Sequence, residues 1–257
     1  MRTETGERTV GWPGARNVMA VVEYDGTGYH GFQFQPDLPT IQGEIEQALI
    51  KLTGRPVRII GAGRTDSGVH ARGQVINFPT EWSHPIAELQ RALNATLPPA
   101  IAVREMQEVA PDFHARFSAV ARQYRYTIWN GPVRSPFLAR YAYWYRHSLR
   151  LDLMAEAGQR LTGNHDFASF GRSPQGENTV REVQRIQCQR ENSRVHIEVL
   201  ANAFLRGMMR SIVAVLLLVG ADELTVEDVE TILLAKDRSM IKYVPPPHGL
   251  CLMRVIY

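Results

Sequence analysis

The chain has 257 residues, 44% hydrophobic and 21% charged, with a formal net charge of +3. That balance excludes a disordered or fibrous chain and leaves room for a real core, in one large domain or two small ones. Two cysteines, Cys188 and Cys251, without C-x-x-C spacing exclude a disulfide framework and a cysteine zinc site.

Residues 1–16 are polar and broken by Gly and Pro, which predicts a loose tail with no signal-peptide h-region. Val18–Tyr24 reads as a strand. The D-G-T-G-Y-H-G after it contains G-x-G-x-x-G, but the two prolines of F-Q-F-Q-P-D-L-P forbid the helix that a dinucleotide site requires. The pattern predicts a glycine-rich loop near the site instead. Thr40 can cap a helix to about Leu52, with Ile41, Ile45, Ala48, Leu49 and Leu52 on one face. A strand Val57–Ile60, a glycine-punctuated loop, a strand Gln74–Phe78, a helix Pro85–Asn94 and a strand Ile101–Val109 follow. The order over 17–112 is β-α-β-β-α-β.

The unit 113–257 repeats that order. Ala121–Trp129 is a strand with Tyr124, Tyr126 and Ile128 on one face. A Pro-rich connector, Gly131–Tyr145, leads to a helix near Leu151–Leu161. Strands Val180–Arg190 and Val195–Ala201 precede a long helix from about Phe204 to Val219, stopped by Gly220. On it Arg206 and Arg210 lie one turn apart and need anionic partners. A short helix Val226–Leu234, capped by Thr225, and a strand within Leu250–Ile256 complete the chain. The fold class is therefore α+β, two ferredoxin-like units in tandem. The longest apolar run, Ile212–Gly220, falls far short of the roughly 20 residues of a membrane span. A cytoplasmic protein without a membrane partner is expected.

Of the 29 basic residues, 26 are arginine, whose planar fork suits phosphates and base edges, although a GC-rich genome gives the same bias. Placement says more. Phe113–Leu151 contains no acid, but seven arginines (Arg116, Arg122, Arg125, Arg134, Arg140, Arg146, Arg150) and ten aromatics. Cations for phosphates interleaved with rings for bases are the pattern of a nucleic-acid surface. The plainer alternative is an aromatic core with a solvated arginine face.

The chemistry concentrates in Ile60–Phe78, I-G-A-G-R-T-D-S-G-V-H-A-R-G-Q-V-I-N-F. Its one carboxylate, Asp66, lies among Arg64, His70 and Arg72. As a turn residue Asp66 would accept backbone hydrogen bonds in an Asx-turn. As half of an aspartic-protease dyad it would need a second D-[ST]-G, which the chain lacks. The loop as a whole, G-R-T-D-S-G-V-H-A then G-Q-V-I-N-F, resembles the signature of the tRNA pseudouridine synthase A family. Further blocks recur in that family's order: E-Y-D-G-T-G-Y-H-G-F-Q, F-H-A-R-F-S-A, R-Q-Y-R-Y, A-N-A-F-L-R-G-M-M-R-S-I-V, A-K-D-R and a closing P-P-x-G-L.

The resemblance implies joined sheets with the site in the cleft between them. It implies Asp66 as nucleophile, isomerising uridine to pseudouridine at positions 38–40 of the tRNA anticodon stem-loop. Arg64 would fill the gap left by a flipped base. Tyr124 would stack on the base and is a candidate for proton handling at C5, and Arg210 would pair with the aspartate. His70, Arg116, Arg140, Arg146 and Arg206 complete the expected substrate contacts. The reaction has no redox step, so no cofactor is expected; the partners are tRNA and a second copy in a homodimer. The competing reading is a non-catalytic RNA-binding protein with two RRM-like sheets.

Overall fold

Strict alternation decides the first strand. In β1 (Arg16–Tyr24) Val18, Ala20, Val22 and Tyr24 are all buried. The computed structural model describes residues 14–173 and 176–257, so most of the tail over 1–16 lies outside it, as does part of 172–178. After β1 come α1 (Ile41–Thr53), β2 (Ile60–Gly61), β3 (His70–Thr80), α2 (Ile86–Thr96) and β4 (Ile101–Val109). The second half holds β5 (Ala121–Trp129), β6 (Tyr143–Trp144), α3 (Leu151–Arg160), β7 (Gly163–Asp166), β8 (Val180–Glu191), β9 (Arg194–Ala201), α4 (Met208–Gly220), α5 (Val226–Ala235) and β10 (Leu250–Ile256). Thr40 caps α1 through its hydroxyl and Gly54 ends it at φ 71°, while Thr225 and Asp228 form a capping box on α5.

All the strands join one sheet in the order β4-β1-β3-β10-β5-β9-β8-β7, with β2 on β3 and β6 on β5. Within β4-β1-β3-β2 and within β10-β5-β9-β8, the fourth main strand lies beside the first, the first beside the third and the third beside the second. This is the ferredoxin-like order, met twice. The sheet is antiparallel except at β5–β6 and at β3–β10, where Cys251 pairs with His70 and Leu252 with Ala71. β10 is the seam: the last strand of the second half zips onto the first. The helix α4 is buried along nearly its whole length, with α3 packed on α4, α5 and β8. Each large aliphatic side chain so buried stabilises the fold by about 1.5–3 kcal/mol. No helix among the described residues is long and apolar enough to cross a membrane.

Five elements differ from expectation, most of them for long-range reasons. β3 begins at His70, not Gln74, because β1 and β10 offer partners to residues 70 and 71. Only Ile60–Gly61 of the expected strand Val57–Ile60 pairs; Val57 and Ile59 are buried without a ladder. The short strands β6 and β7 carry too few residues for a visible alternation. The helix expected from Phe204 starts at Met208, because Gly207 has φ 81° and Arg206 exchanges two backbone hydrogen bonds with Arg172, at 3.2 and 2.9 Å. Arg206 and Arg210 therefore do not share a helix face.

Candidate active site at the seam of the sheet

The loop 61–70 runs between β2 and β3 and is pinned from both sides. Ala62 N–H donates to the Val75 carbonyl (2.8 Å), and Arg122 of β5 donates to the Ala62 carbonyl (3.0 Å). Gln74 donates to the Gly63 carbonyl (2.8 Å). Thr65 is held twice: its hydroxyl meets the buried Tyr24 hydroxyl at 2.8 Å, and its carbonyl accepts Phe32 N–H at 3.0 Å. Burial pushes the Tyr24 hydroxyl far up, so it stays protonated.

The glycine-rich loop that the sequence predicts near the site lies directly on this one. A Cβ on Gly26 would sit 2.1 Å from the Val69 carbonyl oxygen, and one on Gly31, at φ 90°, 2.7 Å from the Thr65 carbonyl oxygen. Only glycine allows that approach.

Asp66 follows Thr65 with its backbone thus fixed. The turn after it is closed by its carbonyl, which accepts Val69 N–H at 3.1 Å. Its carboxylate makes no Asx-turn and accepts no hydrogen bond among the described residues. It is 39% exposed, and Arg206 Nε lies 3.9 Å from Oδ1, the outer limit of an ion pair. This differs from the expected pairing with Arg210, whose Nε donates to the Pro245 carbonyl at 2.8 Å because α4 turns it toward the closing proline segment. Arg64 is exposed, with no polar partner among the described residues.

Tyr124, on β5 beside β10, is 8% exposed and packs edge-on against Phe204, centroids 4.9 Å apart. Burial first, and then the negative charge of Asp66, push its hydroxyl well above the ordinary 10.0. It is a neutral donor at neutral pH, and a phenol so held cannot take a proton from C5 without first losing its own.

His70, expected as a substrate contact, is 5% exposed and committed within the protein. Its Nε2 faces the carbonyls of Arg140 (2.8 Å) and His248 (3.2 Å) and so carries a hydrogen, leaving Nδ1 to accept Gly26 N–H at 3.0 Å. Strand pairing at the seam turned it inward. Arg116 is half-buried over the Phe117 ring, and its carbonyl accepts from Arg122. Arg146 is exposed; Arg140 is exposed and loosely paired to Asp25 at 3.8 Å. Three other arginines of the acid-free segment are occupied: Arg122 donates to four carbonyls, Arg125 pairs with Glu198, and Arg150 with Asp152 and Asp222.

Sequence reasoning missed Phe204, although it stands in the A-N-A-F-L-R block, and it missed Asp25. The arrangement offers an accessible carboxylate on a fixed backbone, a facing guanidinium, an exposed arginine two residues away and a buried phenol with an aromatic neighbour. Such a set can attack an electron-poor carbon.

The family model described as tRNA pseudouridine synthase matches residues 20–118 and 157–257. The chain is similar to the tRNA pseudouridine synthase A of Thermoanaerobacter sp. (strain X514), 41% identical over 94% of this chain and 100% of that protein. It is likewise similar to those of Caldicellulosiruptor bescii, 42% identical over 94% and 100%, and Geobacillus kaustophilus, 40% identical over 94% and 95%.

Proposed function

The chain belongs to the tRNA pseudouridine synthase family, and from that premise we propose that it isomerises uridine to pseudouridine in tRNA with Asp66 as nucleophile. The observation that supports Asp66 most is its free carboxylate on a backbone held by Tyr24, Phe32 and two glycine contacts. A carboxylate is ionised at neutral pH and needs no base to activate it.

The target nucleotide is flipped out of the stem, and exposed Arg64 fills the space it leaves. An Asp66 oxygen bonds to the substrate, at uracil C6 or ribose C1′, as the C1′–N1 bond breaks. The base turns, C1′–C5 forms, the bond to Asp66 breaks and returns its electron pair to the carboxylate, C5 gives up its proton and N1 gains one. No atom or electron is gained or lost. Arg206 faces the Asp66 carboxylate, Tyr124 and Phe204 border the base, and Arg210 fixes the closing proline segment.

Positions 38–40 of the anticodon stem-loop, a homodimer in which one tRNA touches both copies, and a cytoplasmic setting belong to the same proposal. So do substrate contacts by Arg116, Arg140 and Arg146, and the division into units at residue 112. The test is incubation with tRNA lacking pseudouridine, then carbodiimide labelling and primer extension. Stops at 38–40 are expected. Stops elsewhere would overturn the position, and binding without stops would favour the RNA-binding reading.

A further inference from the structure

The Asp25 carboxylate, outside the chemistry above, gathers three donors, with the His70 ring beside them. Oδ1 accepts Thr27 N–H at 2.9 Å and lies 3.2 Å from His70 Nδ1. Oδ2 accepts the Tyr141 hydroxyl at 2.8 Å and lies 3.8 Å from Arg140 Nη1. His70 adds its own bond to the Arg140 carbonyl, and its ring lies 5.1 Å from that of Tyr141. Arg140 and Tyr141 are adjacent residues of the connector 131–145, which otherwise belongs to the second half of the sheet. Asp25 and His70 belong to the first. Among the described residues these are the polar contacts by which the connector reaches that half.

The rest of the connector is thinly held toward its tip. Val133 is 69% and Phe137 92% exposed, and the Trp129 indole donates to the Val133 carbonyl near its start. The fastening lies close to the catalytic loop in sequence and space: His70 ends it, and Ser67 donates to the Tyr29 carbonyl in the Asp25 loop at 3.0 Å. Arg134 and Arg140 ride on the connector, both exposed, Arg140 with only its long pair to Asp25.

We propose that Asp25 is a positioning residue for RNA: with His70 it clasps Arg140 and Tyr141, holding the arginine-bearing connector against the catalytic loop where the RNA backbone passes. This rests on the reading of the protein as a tRNA-modifying enzyme. The 3.8 Å approach to Arg140 aims the guanidinium without consuming it, because so long and exposed a pair is weak against a phosphate. The Tyr141 hydroxyl bond to an ionised carboxylate is the stronger arm.

The test uses the full chain and two variants, Tyr141→Phe and Asp25→Asn, with far-UV circular dichroism as the check on folding. Tyr141 is half exposed, so removing one hydroxyl leaves the fold intact. Hydrogen exchange of 131–145 should quicken in both variants. KM for tRNA should rise about three- to tenfold in Tyr141→Phe with kcat within about twofold, and further in Asp25→Asn. Faster exchange with unchanged KM would make the clasp merely structural. A raised KM with unchanged exchange, or a fall confined to kcat, would equally overturn the proposal. Exchange reads the clasp without any turnover, so an inactive wild-type enzyme would sink the functional reading while leaving the clasp measurable.

Discussion

Asp25 and Asp66 stand on adjoining glycine-rich loops of the same half of the sheet, and their carboxylates are used in opposite ways. Asp25 makes the Asx-turn, accepts a tyrosine hydroxyl and borders a histidine and an arginine. Asp66 has its backbone bound on each side and its carboxylate free but for Arg206. The loops teach how to tell a structural aspartate from an available one: by what is left over once the backbone has been satisfied. Burial alone would raise Asp25, but the Thr27 and Tyr141 bonds outweigh it and hold the carboxyl below the ordinary 3.8.

The contrast breaks most sharply at Arg206. Arg206→Ala should lower kcat about 10- to 100-fold, the range for removing a partner of a charged group, while Arg210→Ala acts mainly through the proline segment and costs less. Single-turnover rates compare them, and a larger loss in Arg210→Ala would reverse the assignment. Next, Gly26→Ala drives a methyl into the Val69 backbone, which cannot yield as a side chain would. It should destabilise by about 3 kcal/mol, against roughly 1 for Gly28→Ala, which meets open space and only the strain of its φ of 81°. Urea midpoints separate the two.

Arg140→Ala with Arg146→Ala should flatten the salt dependence of tRNA binding by about 0.7–0.9 for each phosphate no longer neutralised, whereas Arg125→Gln, already paired with Glu198, should leave it unchanged. The smallest effect is on pH. Because the folded Asp25 value is depressed, its contribution is complete above the ordinary 3.8 and disappears as pH falls through the lower folded value. Asp25→Asn should therefore lose this acid-side dependence, seen as flatter stability as pH falls through and below the ordinary 3.8.

Local chemistry made much of this legible. Alternation in β1 and β5, the caps of α1 and α5 and the glycines around Asp66 all act within a few residues, and the sequence displays them. The repeated element order carried the ferredoxin-like topology as well. What stayed hidden depends on pairing between distant segments. Arg206 reads as helical until Arg172, 34 positions earlier, draws it into an extended bridge. His70 reads as a loop residue beside Asp66 until β10 pairs with it and turns it inward. D-S-G advertised an Asx-turn that D-G-T makes instead, because a turn motif does not reveal whether its carbonyl or its carboxylate closes the turn.

Catalysis as described here rests on the free carboxylate of Asp66. The direct measurement mixes wild type and Asp66→Asn with tRNA carrying 5-fluorouridine at the target position, where loss of the C5 proton is blocked, and follows adducts by denaturing electrophoresis. Wild type should form a stable or slowly resolved adduct, and Asp66→Asn none, while both bind the tRNA and melt alike. An adduct in Asp66→Asn, or pseudouridine formed on ordinary tRNA at a substantial fraction of the wild-type rate, would place the nucleophile elsewhere.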